Sequence, residues 1–469
     1  MLKLSNNREL FLDDTLIQTA LSDVPQFLGR PEKKEIVFRF DQPWETNTAG
    51  YQNIVKNPDG SFSMYYLASS FPVQPDGTKR FTRRAAMLKS NDGLHWFRPY
   101  LGITDEPGGN MISPPGEIYD DNFFVFYDTN PRCPENERYK AITGDWGQFI
   151  SVRVSSDGIH FSPKRHFLTF AEHHCYFDSL NTVHYDAAND RYVAYVRGLH
   201  MGDDFFPQNA DDPRIVRDIR VSYSKDFIEW TYPQPLEYND AFDYQMYTNG
   251  VFHYDRAPQY WLGLPTRYIA RPWSKCFDDL PDAEERQTRS RGTALTDAIL
   301  MFTRDGSHFT RFSEGFFTAG PERTKNWLYG DCYPCVGQIV TPGEYGSDDY
   351  LSLFCHEADD TGMHVLVRYA LRMDGFAYRY AGYGNHKLIS KPLIFDGSRM
   401  EINYRTSAIG SLLITITDKN GNAITSGELF GDKVDRTVPF EGDLSAFAGK
   451  PVTITFAVSD ASLYSFRFF

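Results

Sequence analysis

A set of carboxylates, arginines and aromatic rings stands at the ends of short apolar runs along most of the chain. Four acids and one amide precede such runs: Glu45 in PWETNTAGYQNIV, Asn110, Asp178 in CYFDSLNTVHY, Asp243 in FDYQMYTNGVF and Asp331 in YGDCYPCVGQIV. Two acids and two arginines close them: Asp128, Arg197, Arg267 and Glu357, with Trp44, Tyr247, Trp327 and His356 alongside. Brought to one pocket, these groups suit cleavage of a glycosidic bond, which needs one carboxyl as acid and another as base or nucleophile across the bond. A third carboxylate orients the acid or raises its pKa. The arginines would hold hydroxyls or an anionic substituent, and the rings would stack on sugar faces. Any one of these acids is equally well explained as a strand-end cap or a local ion pair; the set as a whole carries the functional expectation.

The elements that must position them are repeated. Ser90-Asn-Asp-Gly-Leu-His-Trp96, Ser155-Ser-Asp-Gly-Ile-His-Phe161, Ser224-Lys-Asp-Phe-Ile-Glu-Trp230 and Thr303-Arg-Asp-Gly-Ser-His-Phe309 share one pattern, and Arg372-Met-Asp-Gly-Phe376 is a shortened fifth copy. Their aspartates, Asp92, Asp157, Asp226, Asp305 and Asp374, are 65, 69, 79 and 69 residues apart, room for four strands and their loops in each unit. Ser/Thr and Asp side chains close a tight turn, Gly takes the positive φ, and the aromatic residue re-enters the sheet. These aspartates are therefore scaffold. Helical periodicity is nearly absent, and radial repetition of four-stranded sheets is the propeller solution to unpaired edges. The expected fold is all-β: a five-bladed β-propeller over residues 1–384 and a C-terminal β-sandwich over 385–469, the latter a brace for the former.

In such a propeller, the start of each inner strand and the end of the next lie on the face where the central cavity opens. That register selects the residues above.

Composition narrows the partners. A net charge of −14 disfavours nucleic acid and anionic membrane, both of which need a basic face. No run of 18 apolar residues occurs, and the N-terminus lacks a signal-like apolar stretch, so a cytoplasmic location is expected. Aromatic residues make up 16% of the chain, which favours strands and also suits sugar stacking. Cys332 and Cys335 form a CxxC with no helix start behind it, and adjacent His173, His174 and Cys175 point to alternating faces, so neither group is read as a metal or redox site. No cofactor is required, although a structural cation in the central channel is compatible with the carboxylates. Oligomeric state leaves no mark.

With its repeats, its PWE segment and Asp178 ahead of a strand, the chain resembles the five-bladed propeller glycoside hydrolases such as families 32, 43 and 117. FLDDTLI, FYDTNP followed by RYK, RMDGF and DASLYSF resemble a bacterial group labelled glycosyl-hydrolase-like. The resemblance implies a first-blade acid as base or nucleophile, here Glu45, and a third-blade aspartate as modulator, here Asp178. It implies a later-blade glutamate as general acid, for which Glu357 stands in because the fourth blade offers only Asp243 and Gln245. The family-32 motifs Asn-Asp-Pro-Asn-Gly and Arg-Asp-Pro are absent. The expected activity is exo-acting hydrolysis of an oligosaccharide or glycoside. Phosphorolysis, with Arg197, Arg267 and Arg271 holding phosphate, and non-catalytic sugar binding stand as alternatives.

Overall fold

The computed structural model describes every residue except 1, 49, 74–76, 80, 104–108, 114–121, 146, 174, 206, 208–211, 289–291 and 324, with the backbone alone at 145, 170, 173 and 288. His174 thus lies outside the described residues. Strands dominate, and the α-helices among the described residues are two short ones, Phe170–His173 and Ala283–Thr288.

The strands form successive small antiparallel sheets. Asn53–Lys56, Phe62–Ser70 and Thr82–Ser90 make the first, extended by a bridge from Lys89 to Phe97. Phe123–Tyr127, Tyr139–Asp145, Phe149–Ser155 and Arg165–Thr169 make the second, and Thr182–Asp186, Arg191–His200, Val216–Ser224 and Gln234–Pro235 the third. In the next stretch, Val251–His253, Trp261–Gly263, Met301–Thr303 and His308–Arg311 form one ladder, while Gln245–Met246, Thr266–Ala270 and Ala294–Ala298 form another. The break falls at Leu264–Pro265, where proline has no amide to donate to a ladder. Tyr333–Pro334 and Ile339–Thr341 then pair with Tyr350–Ala358, which pairs with His364–Arg372. The outer strand of that sheet comes from the other end of the chain: Glu32–Arg39 lies antiparallel to His364–Arg372.

Strands such as Phe62–Ser70 and Tyr350–Ala358 are buried along nearly their whole length. Each small sheet is covered on both faces by its neighbours, so its sequence reads as a continuous apolar run instead of alternating. Buried asparagines stitch the sheets together near their inner strands. Asn53 Nδ2 donates to the Val125 carbonyl at 2.6 Å and its Oδ1 accepts from the Val125 amide at 3.1 Å. Asn122 donates to the Ser179 carbonyl, and Asn249 Nδ2 to the Leu180 carbonyl at 2.8 Å. These bonds satisfy inner-strand backbone groups that have no ladder partner, and they fix the segment carrying Asp178.

The repeated turns are built as their residues dictate. Asp92 Oδ1 accepts from the Leu94 and His95 amides at 2.9 Å, with Gly93 at φ +76°, and Asp157 and Asp305 repeat the arrangement. In the third copy Phe227 takes the positive φ instead of Gly. The fifth copy differs. Asp374 is fully buried and accepts from Tyr254 Oη at 2.6 Å, Arg256 Nε at 3.0 Å, Ser465 Oγ at 2.6 Å and Asn403 Nδ2 at 3.1 Å. Ser465 and Asn403 belong to the C-terminal strands, so this aspartate bolts that region to the repeats.

The C-terminal chain and three N-terminal strands, Leu2–Lys3, Glu9–Leu10 and Gln26–Leu28, form one ten-stranded sheet around two long partners, Met400–Asp418 and Val452–Phe468, with a shift in register at Thr406–Ser411. Its interior, including Leu388, Ile402, Ile414, Ile454 and Phe466, is a separate apolar cluster from those of the small sheets.

Candidate active site

A cavity of about 440 Å³ opens where the inner strands of several sheets meet. Its wall contains Asn47, Thr48 and Tyr51 from the first sheet's approach, Arg83 from the Thr82–Ser90 strand, Asp178 before the third sheet, Tyr247, Tyr329 and Tyr333, and His356 and His364. Of the residues singled out in the sequence, Asp178, Tyr247 and His356 lie in this wall, and Arg197 lies directly behind it.

Asp178 is the carboxylate of the wall, and its side chain is 55% exposed. Arg197, almost wholly buried, reaches it through Nη1 at 3.2 Å and gives Nη2 to the Tyr247 carbonyl at 2.5 Å. The guanidinium also lies 4.9 Å from the centre of the Tyr247 ring. A buried arginine costs several kcal/mol unless paired and fully hydrogen-bonded; here that requirement holds the carboxylate in one place. Ser179 adds a second tie, its Oγ donating to the same Tyr247 carbonyl at 2.7 Å.

Four tyrosines give the cavity its character. Tyr247 and Tyr329 share a hydrogen bond of 2.6 Å between their hydroxyls, and Tyr333 packs edge-on to Tyr247 at 6.0 Å and beside Tyr51 at 6.2 Å. Burial and crowding with the other phenols push Tyr51 and Tyr333 well above the usual tyrosine pKa, so both stay neutral. The result is a wall of ring faces and hydroxyl groups with little net charge. On the opposite side His356 Nδ1 lies 2.9 Å from Gln52 Nε2, and its Nε2 lies 2.9 Å from His364 Nδ1. Burial lowers the pKa of both rings, so both are neutral imidazoles.

Behind the wall is a second acidic group. Glu357 accepts from Tyr369 Oη and Lys33 Nζ, each at 2.5 Å, and from Arg323 Nη2 at 3.3 Å. Asp331 follows Gly330 of the wall, is 2% exposed, and among the described residues no side chain donates a hydrogen bond to its carboxylate oxygens. Desolvation, reinforced by the charge of Glu357 and only partly offset by Arg323 and Lys33, raises its pKa to about 7. A buried carboxyl in that state exchanges a proton near neutral pH.

The other expected residues lie elsewhere. Glu45 is fully buried with both oxygens engaged: Tyr66 Oη at 2.6 Å, and Arg98 at 2.6 and 3.1 Å. The turn from Gln42 to Thr48 folds its side chain back into the first sheet's core, where it acts as an ion-pair anchor and not as part of the cavity wall. Asn110 supports the same group, donating to Tyr66 Oη at 2.7 Å. Asp128 is enclosed by Lys140 at 2.7 Å, Tyr192 Oη at 2.8 Å and the Asn130 amide. Arg267 is gripped by both oxygens of Asp297 at 2.9 and 2.6 Å. Asp243 pairs with His200 at 2.9 Å outside the wall, Trp327 donates to the Gly320 carbonyl at 2.8 Å, and Trp44 packs against an apolar cluster. Glu357 and Asp331 sit behind the wall, not in it. Arg271 is exposed. Cys332 and Cys335 are buried free thiols.

Tyr51, Arg83, Tyr329, Tyr333 and His364 were not singled out in the sequence. A signal existed for Tyr329 and Tyr333, which flank Asp331 in YGDCYPC, and for Tyr51, six residues after Glu45.

No family model and no curated protein matches the chain. Among solved structures it is similar to an N-acetylgalactosamine deacetylase from F. plautii in complex with blood group B trisaccharide, at 13% identity and a TM-score of 0.45, over 74% of this chain and 95% of that one. It is also similar to a glycoside hydrolase family 43 arabinoxylan arabinofuranohydrolase from Bacillus subtilis in complex with cellotetraose, at 10% identity and a TM-score of 0.42, over 94% and 99% of the two chains. A third match comes from a study of family 130 mannoside phosphorylases and hydrolases, at 13% identity and a TM-score of 0.38, over 73% and 94%.

Proposed function

We propose that the small sheets are five blades of a propeller whose central cavity is the active site of a glycoside hydrolase acting on an oligosaccharide, with the C-terminal sheet folded as a bracing sandwich. The observation that carries this reading is Asp178, an open carboxylate held by Arg197 in a cavity walled by tyrosine rings and hydroxyls. Tyrosine faces suit the apolar faces of sugar rings, and their hydroxyls both donate and accept. Asp178 is the carboxylate that meets the substrate, and Asp331, buried behind the wall beside Gly330 with a pKa of about 7, is the acid group that feeds a proton through the wall toward the leaving oxygen. Glu357 serves this pair by raising the Asp331 pKa.

Phosphorolysis is the second reading, favoured by the presence of Arg83 in a wall whose carboxylate, among the described residues, is Asp178 alone. A phosphate held by an arginine replaces the general base and the water it would activate. The test is a screen of arylglycosides and plant and algal oligosaccharides, with and without inorganic phosphate. Free reducing sugar in both conditions supports hydrolysis. Sugar 1-phosphate formed only with phosphate supports the second reading. Binding without any turnover leaves a lectin-like role.

A further inference from the structure

Two histidines face the cavity side by side, and among the described residues neither is hydrogen-bonded to a carboxylate. His356 is buried between Gln52 and His364, with 2.9 Å on each side. A neutral imidazole has one donor nitrogen and one acceptor nitrogen, and an amide nitrogen only donates. Gln52 Nε2 therefore fixes His356 Nδ1 as the acceptor, which places the proton of His356 on Nε2. That proton is given to His364 Nδ1, so the proton of His364 stands on its own Nε2. Protonating either ring would set two N–H groups against each other across a 2.9 Å contact, so the geometry itself keeps the pair neutral.

We propose that the Gln52–His356–His364 chain presents His364 Nε2–H as a fixed, uncharged donor to a hydroxyl oxygen of the bound sugar, with Gln52 and His356 as positioning residues. The proposal rests on the carbohydrate reading of the cavity. Asp178 can only accept, whereas His364 Nε2–H can only donate. Among the described residues the wall thus sets an obligatory acceptor, Asp178, against an uncharged obligatory donor, His364, beside the charged donor Arg83, and free hydroxyl groups satisfy all three. A deoxy position leaves the His364 donor unpaired, and a site built around such a donor rejects the analogue lacking its partner.

The test starts without any ligand. In protein labelled with ¹⁵N-histidine, the imidazole spectrum at pH 7 is expected to show both His356 and His364 neutral and protonated at Nε2. In Gln52→Glu the new carboxylate accepts from His356 Nδ1, so both rings are expected to switch to the Nδ1-protonated form. A wild-type His364 that is protonated at Nδ1, or charged, overturns the proposal, as does a folded Gln52→Glu variant with unchanged tautomers. The wild-type spectrum decides the matter even if the variant fails to fold. Monosaccharides and methyl glycosides are then titrated while tyrosine fluorescence reports binding independently. Binding that moves His364 Nε2, and that weakens at least 10-fold in His364→Phe but less in His364→Gln, supports the proposal. Binding that leaves Nε2 unmoved overturns it. If no sugar binds at all, the carbohydrate reading falls, and with it the role given to His364, even where the tautomers are as expected.

Discussion

Asp178 and Arg197 meet at 3.2 Å, yet one side chain is more than half exposed while the other is almost wholly buried. The pair is therefore asymmetric. Arg197 is committed to the scaffold through the Tyr247 carbonyl, and Asp178 keeps a free face toward the cavity.

Asp178→Asn should reduce turnover by at least about 10²-fold, the usual scale of a positioned acid–base or electrostatic group. Arg197 keeps the Tyr247 carbonyl but loses its charge partner, so stability should fall by about 1–2 kcal/mol while the protein stays folded. A well-folded variant with full activity would remove Asp178 from the mechanism.

Glu45→Gln should do the reverse. It leaves Arg98 facing a neutral amide inside the first sheet, with a loss of stability of about 2–4 kcal/mol in denaturant titration. Activity per folded molecule should stay near that of the parent. A selective loss of turnover with unchanged stability would return Glu45 to the chemistry.

Asp331→Asn should stabilise the protein, and only at higher pH. The folded-state pKa of about 7 lies above the unfolded value near 4, so the folded protein holds the extra proton between them and its stability falls as pH rises through that window. The variant escapes this loss. Its advantage in melting experiments should be absent near pH 4 and grow to between about 1 and 4 kcal/mol by pH 8. Turnover should fall at the same time, since the proton donor is gone.

Asp374→Asn should destabilise by about 3–5 kcal/mol, because Arg256 and Arg8 lose the charge they face in a buried setting. Burial alone would raise the pKa, but those arginines and the Ser465 bond outweigh it and hold the folded-state value at about 2, below the unfolded value. The contribution is present above pH 4 and lost as pH falls through about 2. Asp157→Ala, in an exposed copy of the same motif, should cost only about 1 kcal/mol. Equal effects at the two positions would contradict the bolt described for Asp374.

The repeat was legible in the sequence because its turn chemistry is local: Ser155, Asp157 and Gly158 satisfy one another within four residues. The strand-end rule likewise anticipated that Asp178, Tyr247 and His356 line one cavity with Arg197 behind them, since strand direction alone brings them to one face. It failed at Glu45, Asp128 and Arg267 because the deciding partners, Arg98, Lys140 and Asp297, lie 53, 12 and 30 positions away. Nothing in a single chain marks which acid meets its arginine and which stays open. His364 was missed for a related reason: it looks like the first residue of an ordinary buried strand, and its role depends on a neighbour across the hairpin.

The pairing of Glu32–Arg39 with His364–Arg372 sets an order of events during synthesis. Glu35 and Arg368, which join across it, are 333 positions apart, so the early strand must wait for most of the chain before it has a partner. Such distant closure is slow, and an open strand edge invites pairing with other chains meanwhile. The waiting sheet is also the one that carries His356, Glu357 and His364. A ribosome-bound chain that has made only the sheets up to Arg311 would thus own Asp178 and its arginine but not the part of the cavity that His356 and His364 line, and catalytic competence should arrive in one late step, together with protection of that edge from proteases and aggregation.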